Sequence, residues 1–147
     1  MSIRKAEISD AAEIRTLVLS LAHFYLEDKD SPLPTWLAAT LDQGAFEQRL
    51  ASSGFDHFVY LNNGRIGGYI ALKDKHHLYH LFVAEDQQGK GIARKLWGHL
   101  LTACPSDRYS VRSSLHAVAV YKRFGFIESG DMASKDGVGF QPMEVVY

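Results

Sequence analysis

The stretch EDQQGKGIARKLW, Glu85–Trp97, places two glycines between an apolar run and an amphipathic segment. The run HLYHLFV at 77–83 predicts a strand, and the apolar spacing from residue 92 onward predicts a helix that ends before Pro105. A helix N-terminus carries unpaired backbone N–H groups and a partial positive charge, which suit a phosphate. Because Gly89 and Gly91 let the backbone approach such a ligand, the stretch predicts a phosphate-binding loop.

Three side chains beside the glycines support this interpretation. Lys90 and Arg94 add positive charge, and Gln88 can donate an amide hydrogen bond. A glycine turn that only connects a strand to a helix would have the same pattern. The P-loop and the dinucleotide-binding motif do not fit, because Gly91 stands where the former needs Ser or Thr and Arg94 stands where the latter needs glycine.

Length and composition indicate the class of protein. The 147 residues suit a single domain, 1–147, and the apolar fraction of 46% and charged fraction of 22% are typical of globular proteins. A net charge of -1 without a basic face gives no reason to expect binding to nucleic acid or to a membrane surface. The chain has neither a signal-peptide pattern nor a membrane-spanning run, and Cys104 is its single cysteine. We therefore expect a cytoplasmic protein in which Cys104 has a packing role.

The order of predicted elements gives the fold class. Strand 3–6 leads into a helix with Asp10 and Glu13 as capping box, and one or two short helices follow over 36–50. A hairpin turns at 62–65, and after the central helix come a strand at 108–114 and a short helix 115–124 closed by Gly125. The closing strands are predicted at 126–130 and 143–147, with a turn near 136–137 between them. Antiparallel hairpins beside a strand-helix-strand crossover predict an α+β fold, α/β/α sandwich-like, around a mixed and mostly antiparallel sheet of six to seven strands.

Two motifs resemble those of a known family. Val83 followed by Gln88-Gly89-Lys90-Gly91-Ile92-Ala93 resembles the Gln/Arg-x-x-Gly-x-Gly/Ala signature of the GNAT superfamily of acetyl-CoA-dependent N-acyltransferases. LHAVAVYKRFGF at 115–126 resembles the later Ala-x-x-x-Tyr-x-x-x-Gly-Phe segment of that family. With SIRKAEISDAAEI at 2–14 as the opening strand and helix, the resemblance covers essentially the whole chain.

The resemblance implies where acetyl-CoA would bind. The sheet would be splayed open between the strand ending at Val83 and the strand near Val111, with the pantetheine arm in the gap and N–H groups near Phe82 polarising the thioester carbonyl. An asparagine that many members carry before the second motif is replaced here by Arg112, Ser113 and Ser114, which leaves open whether Arg112 or Ser114 contacts the cofactor. The cofactor-binding residues are then expected to be Leu81, Phe82, Val83, Gln88, Gly89, Lys90, Gly91, Ile92, Ala93, Arg94 and Ser114.

Catalytic roles also follow from the resemblance. Tyr121 matches the tyrosine that protonates the departing thiolate, although an aromatic residue on a short helix is also a common core residue. His77 resembles the position at which some members carry a glutamate that acts as the general base, and a β-bulge, frequent in the family here, could bring in His80 instead. Ordered water and a surface histidine cluster are the alternatives. A metal site is not expected, since residues four apart on a strand are about 13 Å apart.

The acceptor site is implied between the early helices and the late strands, where Phe24, Tyr25 and Trp36 are the candidate substrate-binding residues. These aromatics suggest an apolar or aromatic acceptor, whereas the acidic residues from Glu27 to Asp30 would attract a cationic one. Packing of the first helix is the simpler explanation of the aromatics.

The resulting hypothesis is an N-acetyltransferase that moves the acetyl group of acetyl-CoA to a primary amine of a small molecule, peptide or protein, without a covalent intermediate because no cysteine nucleophile is placed for it. The alternative is a non-catalytic acetyl-CoA-binding regulator that binds a protein partner. A homodimer through edge strands is compatible with the resemblance, and the sequence leaves it open.

Overall fold

The computed structural model describes residues 2–147, which form one sheet with helices on both faces. The strands are β1 Ser2–Lys5, β2 Phe55–Asn62, β3 Arg65–Lys73, β4 His77–Val83, β5 Arg108–Ser114, β6 Ile127–Glu128, β7 Ala133–Lys135 and β8 Val138–Val146. The helices are α1 Ala11–Leu21, α2 Thr35–Thr40, α3 Gln43–Ala51, α4 Ile92–Ala103 and α5 Val118–Arg123. None of the helices within residues 2–147 is long and apolar enough to cross a membrane.

The sheet is mixed and mostly antiparallel, which confirms the predicted fold class. Its strand order is β1-β2-β3-β4-β5-β8-β6, with β7 paired to the beginning of β8. Only β4 and β5, which are joined by α4, run parallel among these paired strands. The sheet has eight strands where six to seven were predicted, because β7 has only three residues and gives almost no periodic signal.

Each face of the sheet carries its own apolar core. Helices α1, α2 and α3 pack on one face, where Ile14, Phe46 and Tyr69 are fully buried. Helices α4 and α5 pack on the other face around Leu96 and Leu100. Burial of one such side chain contributes about 1.5–3 kcal/mol to folding, so the two cores fix α4 and α5 firmly against the strands.

The start of α1 differs from the prediction. A 3-10 turn at 8–10 runs directly into the helix, so Glu7 takes the capping position and forms the capping box with Asp10. The Asp10 carboxylate accepts a 2.7 Å hydrogen bond from the Glu7 N–H and pairs with Arg4, which lowers the pKa of Asp10. Glu13 instead accepts a 2.6 Å bond from the Ile66 N–H of β3. The predicted Asp10–Glu13 capping box is therefore wrong, because helical structure begins three residues earlier, at the 3-10 turn that Glu7 caps.

Candidate active site

The central feature is a gap between the parallel strands β4 and β5. These strands pair at only two positions, His77 with Ser110 and Leu78 with Val111, and then separate. A cavity of about 450 Å³ lies in the gap. It is bordered by Tyr79 and 81–83 on one side and by Val111, Arg112 and Ser114 on the other. This confirms the predicted splay of the sheet. The separation leaves backbone groups of β4 without a strand partner on the β5 side, so they are free to bind a ligand.

A β-bulge in β4 contributes to this separation. Ala71 of β3 pairs with His80 and Leu72 pairs with Leu78, so Tyr79 is the extra residue. A bulge bends its strand and changes which face the following side chains take. Tyr79 and His80 both contact the α1–α3 side, whereas simple alternation would place them on opposite faces. The bulge therefore sets which side chains of β4 border the cavity.

The glycine-rich loop ends at the N-terminus of α4. Gly89 and Gly91 have φ of 78° and 77°, in the left-handed region that glycine adopts readily, and Gly91 is the N-cap of the helix. A Cβ built at either glycine would meet no atom within 4 Å, so the loop is open to the cavity side. The loop residues that border the cavity are Gln88, Gly89, Gly91, Ile92, Ala93 and Arg94. The N–H groups at the start of α4 and the helix dipole suit an anionic ligand.

Close packing holds α4 at this position. A Cβ on Gly68 of β3 would stand 3.0 Å from Leu96 Cδ1 and 3.2 Å from Ile92 Cγ2. The absence of a side chain on Gly68 therefore lets the first turns of α4 lie directly on the sheet. The Gln88 side chain adds a second attachment, since its Nε2 donates a 3.0 Å hydrogen bond to the Val83 carbonyl.

Two arginines lie together at the edge of the cavity. Arg94 Nη2 donates a 3.4 Å hydrogen bond to the Arg123 carbonyl, and the Arg94 guanidinium lies 5.6 Å from the centre of the Phe124 ring. Both Arg94 and Arg123 border the cavity, whereas Lys90 does not. The sequence analysis missed Arg123, although its position three residues after Val120, another cavity residue, would place both on one helix face.

Tyr121 is a buried phenol on the cavity wall. It lies on α5, is 5% exposed, and packs edge-on against Phe126 at 5.5 Å between ring centres. Burial raises the pKa of Tyr121, so its hydroxyl keeps its proton well above neutral pH. Gly125, with φ of 99°, ends the α5 region and allows the chain to turn back so that the Phe126 N–H bonds the Tyr121 carbonyl at 3.0 Å.

The other end of the cavity is aromatic. Phe24 and Tyr25 border it together with Tyr79, Phe82 and His116. Tyr25 meets Phe82 edge-on at 5.7 Å between ring centres, and its pKa is raised by burial and by the neighbouring Tyr121 and Tyr79. Three phenols thus lie close together here. The sequence did not identify Tyr79 and His116 as cavity residues. Tyr79 lies in a β-bulge and His116 in a three-residue turn, and neither feature gives a periodic pattern of apolar residues.

The two histidines predicted as bases lie elsewhere. His77 bonds Ser110 Oγ through Nδ1 at 2.8 Å and does not border the cavity; burial and then Arg112 lower its pKa. His80 is 6% exposed, surrounded by aromatic rings, and both of its ring nitrogens lack a hydrogen-bond partner. Burial, followed by the charges of Arg49 and His57, holds the pKa of His80 well below its usual range. His80 contacts the rings of Tyr79 and Phe82, which border the cavity, but does not border it itself.

Trp36 also lies outside the cavity lining. Its Nε1 donates a 2.9 Å hydrogen bond to Asp136, and Lys135 lies 4.9 Å from its ring centre, so it packs on the β7–β8 hairpin. Within residues 2–147, no group of three or more His, Cys, Asp or Glu side chains is arranged to hold a metal ion.

Comparisons with known proteins agree with this geometry. The chain resembles the GCN5-related N-acetyltransferase from Rhodopseudomonas palustris, with 20% identity, coverage of 99% of this chain and 95% of the other, and a TM-score of 0.76. PaiA N-acetyltransferase from Thermoplasma acidophilum, solved in complex with coenzyme A, matches with 17% identity, 99% and 98% coverage, and a TM-score of 0.75. The ribosomal-protein-S18-alanine N-acetyltransferase from Escherichia coli matches with 16% identity, 99% and 92% coverage, and a TM-score of 0.73.

These structural likenesses show the fold. No functionally curated protein gives a significant sequence match. The family model described as Acetyltransferase (GNAT) domain matches residues 24–147, which include the loop, Tyr121 and the cavity lining apart from Leu21. The chain therefore belongs to the GNAT acetyltransferase family.

Proposed function

We propose that this protein is an N-acetyltransferase that transfers the acetyl group of acetyl-CoA to a primary amine. One observation carries the proposal: a single cavity connects the glycine loop at the start of α4 with the buried hydroxyl-bearing side chain of Tyr121. A phosphate site at one end and a proton donor farther along are what a thioester with a phosphorylated carrier requires. The Thermoplasma acidophilum relative, which was solved with coenzyme A, supports the choice of carrier.

The residues present fit coenzyme A. The open backbone at Gly89 and Gly91 suits the pyrophosphate, and Arg94 and Arg123 add positive charge at the same edge. Arg112 and Ser114 both border the cavity, so either can replace the missing family asparagine. The backbone of 81–83, which has no strand partner on the β5 side, would bind the pantetheine arm as an added strand would.

The chain's own groups then divide the chemistry. Backbone N–H groups near Phe82 and Val83 would polarise the thioester carbonyl, and Tyr121 would donate its proton to the sulfur as the carbon–sulfur bond breaks. The amine would attack the carbonyl carbon directly. Cys104, at the far end of α4, does not border the cavity, which supports transfer without a covalent enzyme intermediate.

The lining of the acceptor end favours an amine on an apolar or aromatic body. Among the described residues that border the cavity, none is Asp or Glu, and Glu27, Asp28 and Asp30 lie outside the lining. A second cationic group on the acceptor would therefore find no carboxylate there, whereas Phe24, Tyr25 and Tyr79 offer ring surface. Residues 1–147 would form one cytoplasmic domain that acts on an amine of a small molecule, peptide or protein. No observation favours the non-catalytic regulator.

An amine panel tests the proposal. The protein is incubated with acetyl-CoA and one amine at a time, and release of the coenzyme A thiol is measured together with the mass of the product. Phenylethylamine and a peptide with a free N-terminus represent single amines, and spermidine represents a polycation. We expect thiol release matched by a product 42 Da heavier, an increment set by the acetyl group, and faster with phenylethylamine than with spermidine. Thiol release that no amine accelerates would contradict the proposed function.

A further inference from the structure

The amine must lose a proton before it attacks, and the cavity offers one imidazole for this step. Alkyl ammonium groups have pKa values near 10, so most of the acceptor carries a proton at neutral pH. Among the described lining residues there is no carboxylate, and His116 is the single histidine. Imidazole is the side chain that commonly changes charge between about pH 5 and 8, so it suits a base near neutrality.

His116 lies at the acceptor end of the cavity. Its ring stacks on Phe24 with 4.5 Å between ring centres and 14° between planes. It belongs to the 3-10 turn Leu115–Ala117, which joins β5 directly to α5, the helix of Tyr121. The exposed His116 therefore borders the same cavity as Tyr121 and can return a proton to solvent.

The packing of the turn fixes this position. A Cβ on Gly139 of β8 would stand 2.6 Å from Leu115 Cδ1, so the absence of a side chain there lets Leu115 lie on β8. Ser114, just before the turn, pairs with Phe140 of β8. Rigid attachment on both sides of His116 is what a proton-transferring group needs in order to meet the substrate repeatedly at one place.

Charged and titratable groups lie on several of the elements around the turn. The part of β8 that packs on the turn, 138–140, carries no titratable side chain. On the other elements packed against the turn and on the adjoining loop, these groups are His23, Tyr25, Glu27, Asp28, Lys29, Asp30, Arg108, Tyr109, Arg112, Tyr121, Lys122 and Arg123.

From this geometry we infer that His116 is the general base of the acetyl transfer, an inference that rests on the proposed N-acetyltransferase function. The His116 ring takes one proton from the acceptor ammonium and releases it to solvent. The free amine forms a bond to the carbonyl carbon while the carbon–sulfur bond breaks. Tyr121 gives its proton to the sulfur and recovers one from the acetylated nitrogen. Ammonium and acetyl thioester thus become amide, thiol and one released proton.

Replacement of the imidazole by a ring without nitrogen tests the inference. His116→Phe keeps an aromatic ring against Phe24 but removes the base, and His116→Gln provides a second variant. Both are compared with wild type and with His99→Gln, which alters a histidine on α4 in contact with Phe58. The pH dependence of kcat is measured with an amine accepted by the wild type, together with the KM for acetyl-CoA.

We expect both His116 variants to lose about 100-fold or more in kcat at pH 7 and to lose the acidic limb of the pH profile. The KM for acetyl-CoA should change less than about twofold, and His99→Gln should behave as wild type. An unchanged acidic limb, or a kcat within about threefold of wild type, would overturn the role of His116. A folded wild-type protein that acetylates no amine would overturn the proposed function and this inference together.

Discussion

The Gln88 side chain donates a 3.0 Å hydrogen bond to the Val83 carbonyl, and this bond joins the end of β4 to the glycine loop. The two residues are five positions apart and lie on either side of the 3-10 turn Glu85–Gln87. The bond therefore fixes the loop relative to the strand that borders the cavity. A ligand that contacts both elements needs them in one constant arrangement.

Gln88→Ala should weaken acetyl-CoA binding without a large change in stability. A neutral hydrogen bond contributes about 0.5–1.5 kcal/mol, so we expect a loss of about 2- to 10-fold in affinity. The exposed Gln48→Ala on α3 is the matched control and should bind as wild type. Calorimetric titration of both variants measures the difference. Equal affinity for Gln88→Ala and wild type would show that the bond does not organise the loop.

Gly91→Val tests the backbone of the loop. A β-branched residue would be strained at the Gly91 φ of 77°. A Cβ added at this position would meet no atom within 4 Å, so the substitution causes backbone strain but no steric clash at Cβ. Gly64→Val is a close control, since Gly64 has φ of 75°, equally open surroundings and a place in the β2–β3 turn.

We expect both glycine variants to lose about 1–3 kcal/mol of stability, which would lower Tm by several degrees. Only Gly91→Val should weaken coenzyme A binding, by about tenfold or more. Thermal unfolding and titration measure the two effects separately. If both variants bound coenzyme A as the wild type does, the loop would be a connector only.

Tyr121→Phe should reduce turnover and leave cofactor binding nearly intact. The phenyl ring keeps the contacts with Phe124 and Phe126, and the lost hydroxyl removes the proposed proton donor. We expect kcat to fall about 100-fold or more. Tyr109→Phe, whose hydroxyl bonds the Cys104 carbonyl away from the cavity, is the control and should retain wild-type kcat. Steady-state kinetics with wild-type turnover for Tyr121→Phe would remove Tyr121 from the mechanism.

We expect the free energy of unfolding to fall in mild acid, because three buried or half-buried histidines have lowered pKa values. Burial lowers the pKa of His57, His77 and His80 in the folded protein below the ordinary value of 6.5. The unfolded chain therefore binds more protons than the folded one below pH 6.5, so the free energy of unfolding falls as pH falls and is fully retained above that value. Asp10, whose pKa is lowered from 3.8, adds a loss only at lower pH.

His80→Leu should make the dependence between pH 7 and 5 shallower. Loss of the buried His80 should reduce the slope of the free energy of unfolding against pH by at most about 1.4 kcal/mol per pH unit. Removal of two unpartnered ring nitrogens should also preserve or raise Tm at pH 7. The exposed His76→Gln is the control and should keep the wild-type slope. Thermal unfolding across this range measures it, and identical slopes for His80→Leu and wild type would contradict this explanation.

Much of the fold follows from local signals in the sequence. The Asn63-Gly64 turn, the helix after Gly91 and the turn at Gly125 each rest on residues that adopt positive φ, and all three occur as predicted. Strand β7 and the early start of β8 at Val138 did not follow, because β7 pairs with that first part of β8 in a hairpin whose strands have little periodic signal. The Glu7–Asp10 capping box was missed since Arg4 and the 3-10 turn decide it.

The candidate site divides in the same way. The loop residues other than Lys90 border the cavity, as do Tyr121, Phe24 and Tyr25, and their expected roles stay predictions. The sequence predicted site roles for His77, His80 and Trp36 from their positions in the chain. In the structure the bulge at Tyr79 sets which face of β4 His80 takes, and the hydrogen bond to Asp136 places Trp36 on the β7–β8 hairpin. His116 gave no periodic signal, because it stands in a three-residue turn whose orientation depends on Gly139 and Phe24.

The most direct test of the central claim is calorimetric titration of the full chain with coenzyme A and, in parallel, with NADPH. Both ligands carry a phosphorylated adenosine and a pyrophosphate, but only coenzyme A has the pantetheine arm that the gap between β4 and β5 would bind. We expect saturable binding of coenzyme A at one site per chain and far weaker binding of NADPH. Absence of coenzyme A binding in a folded sample, or equal affinity for both ligands, would contradict the assignment of the cavity.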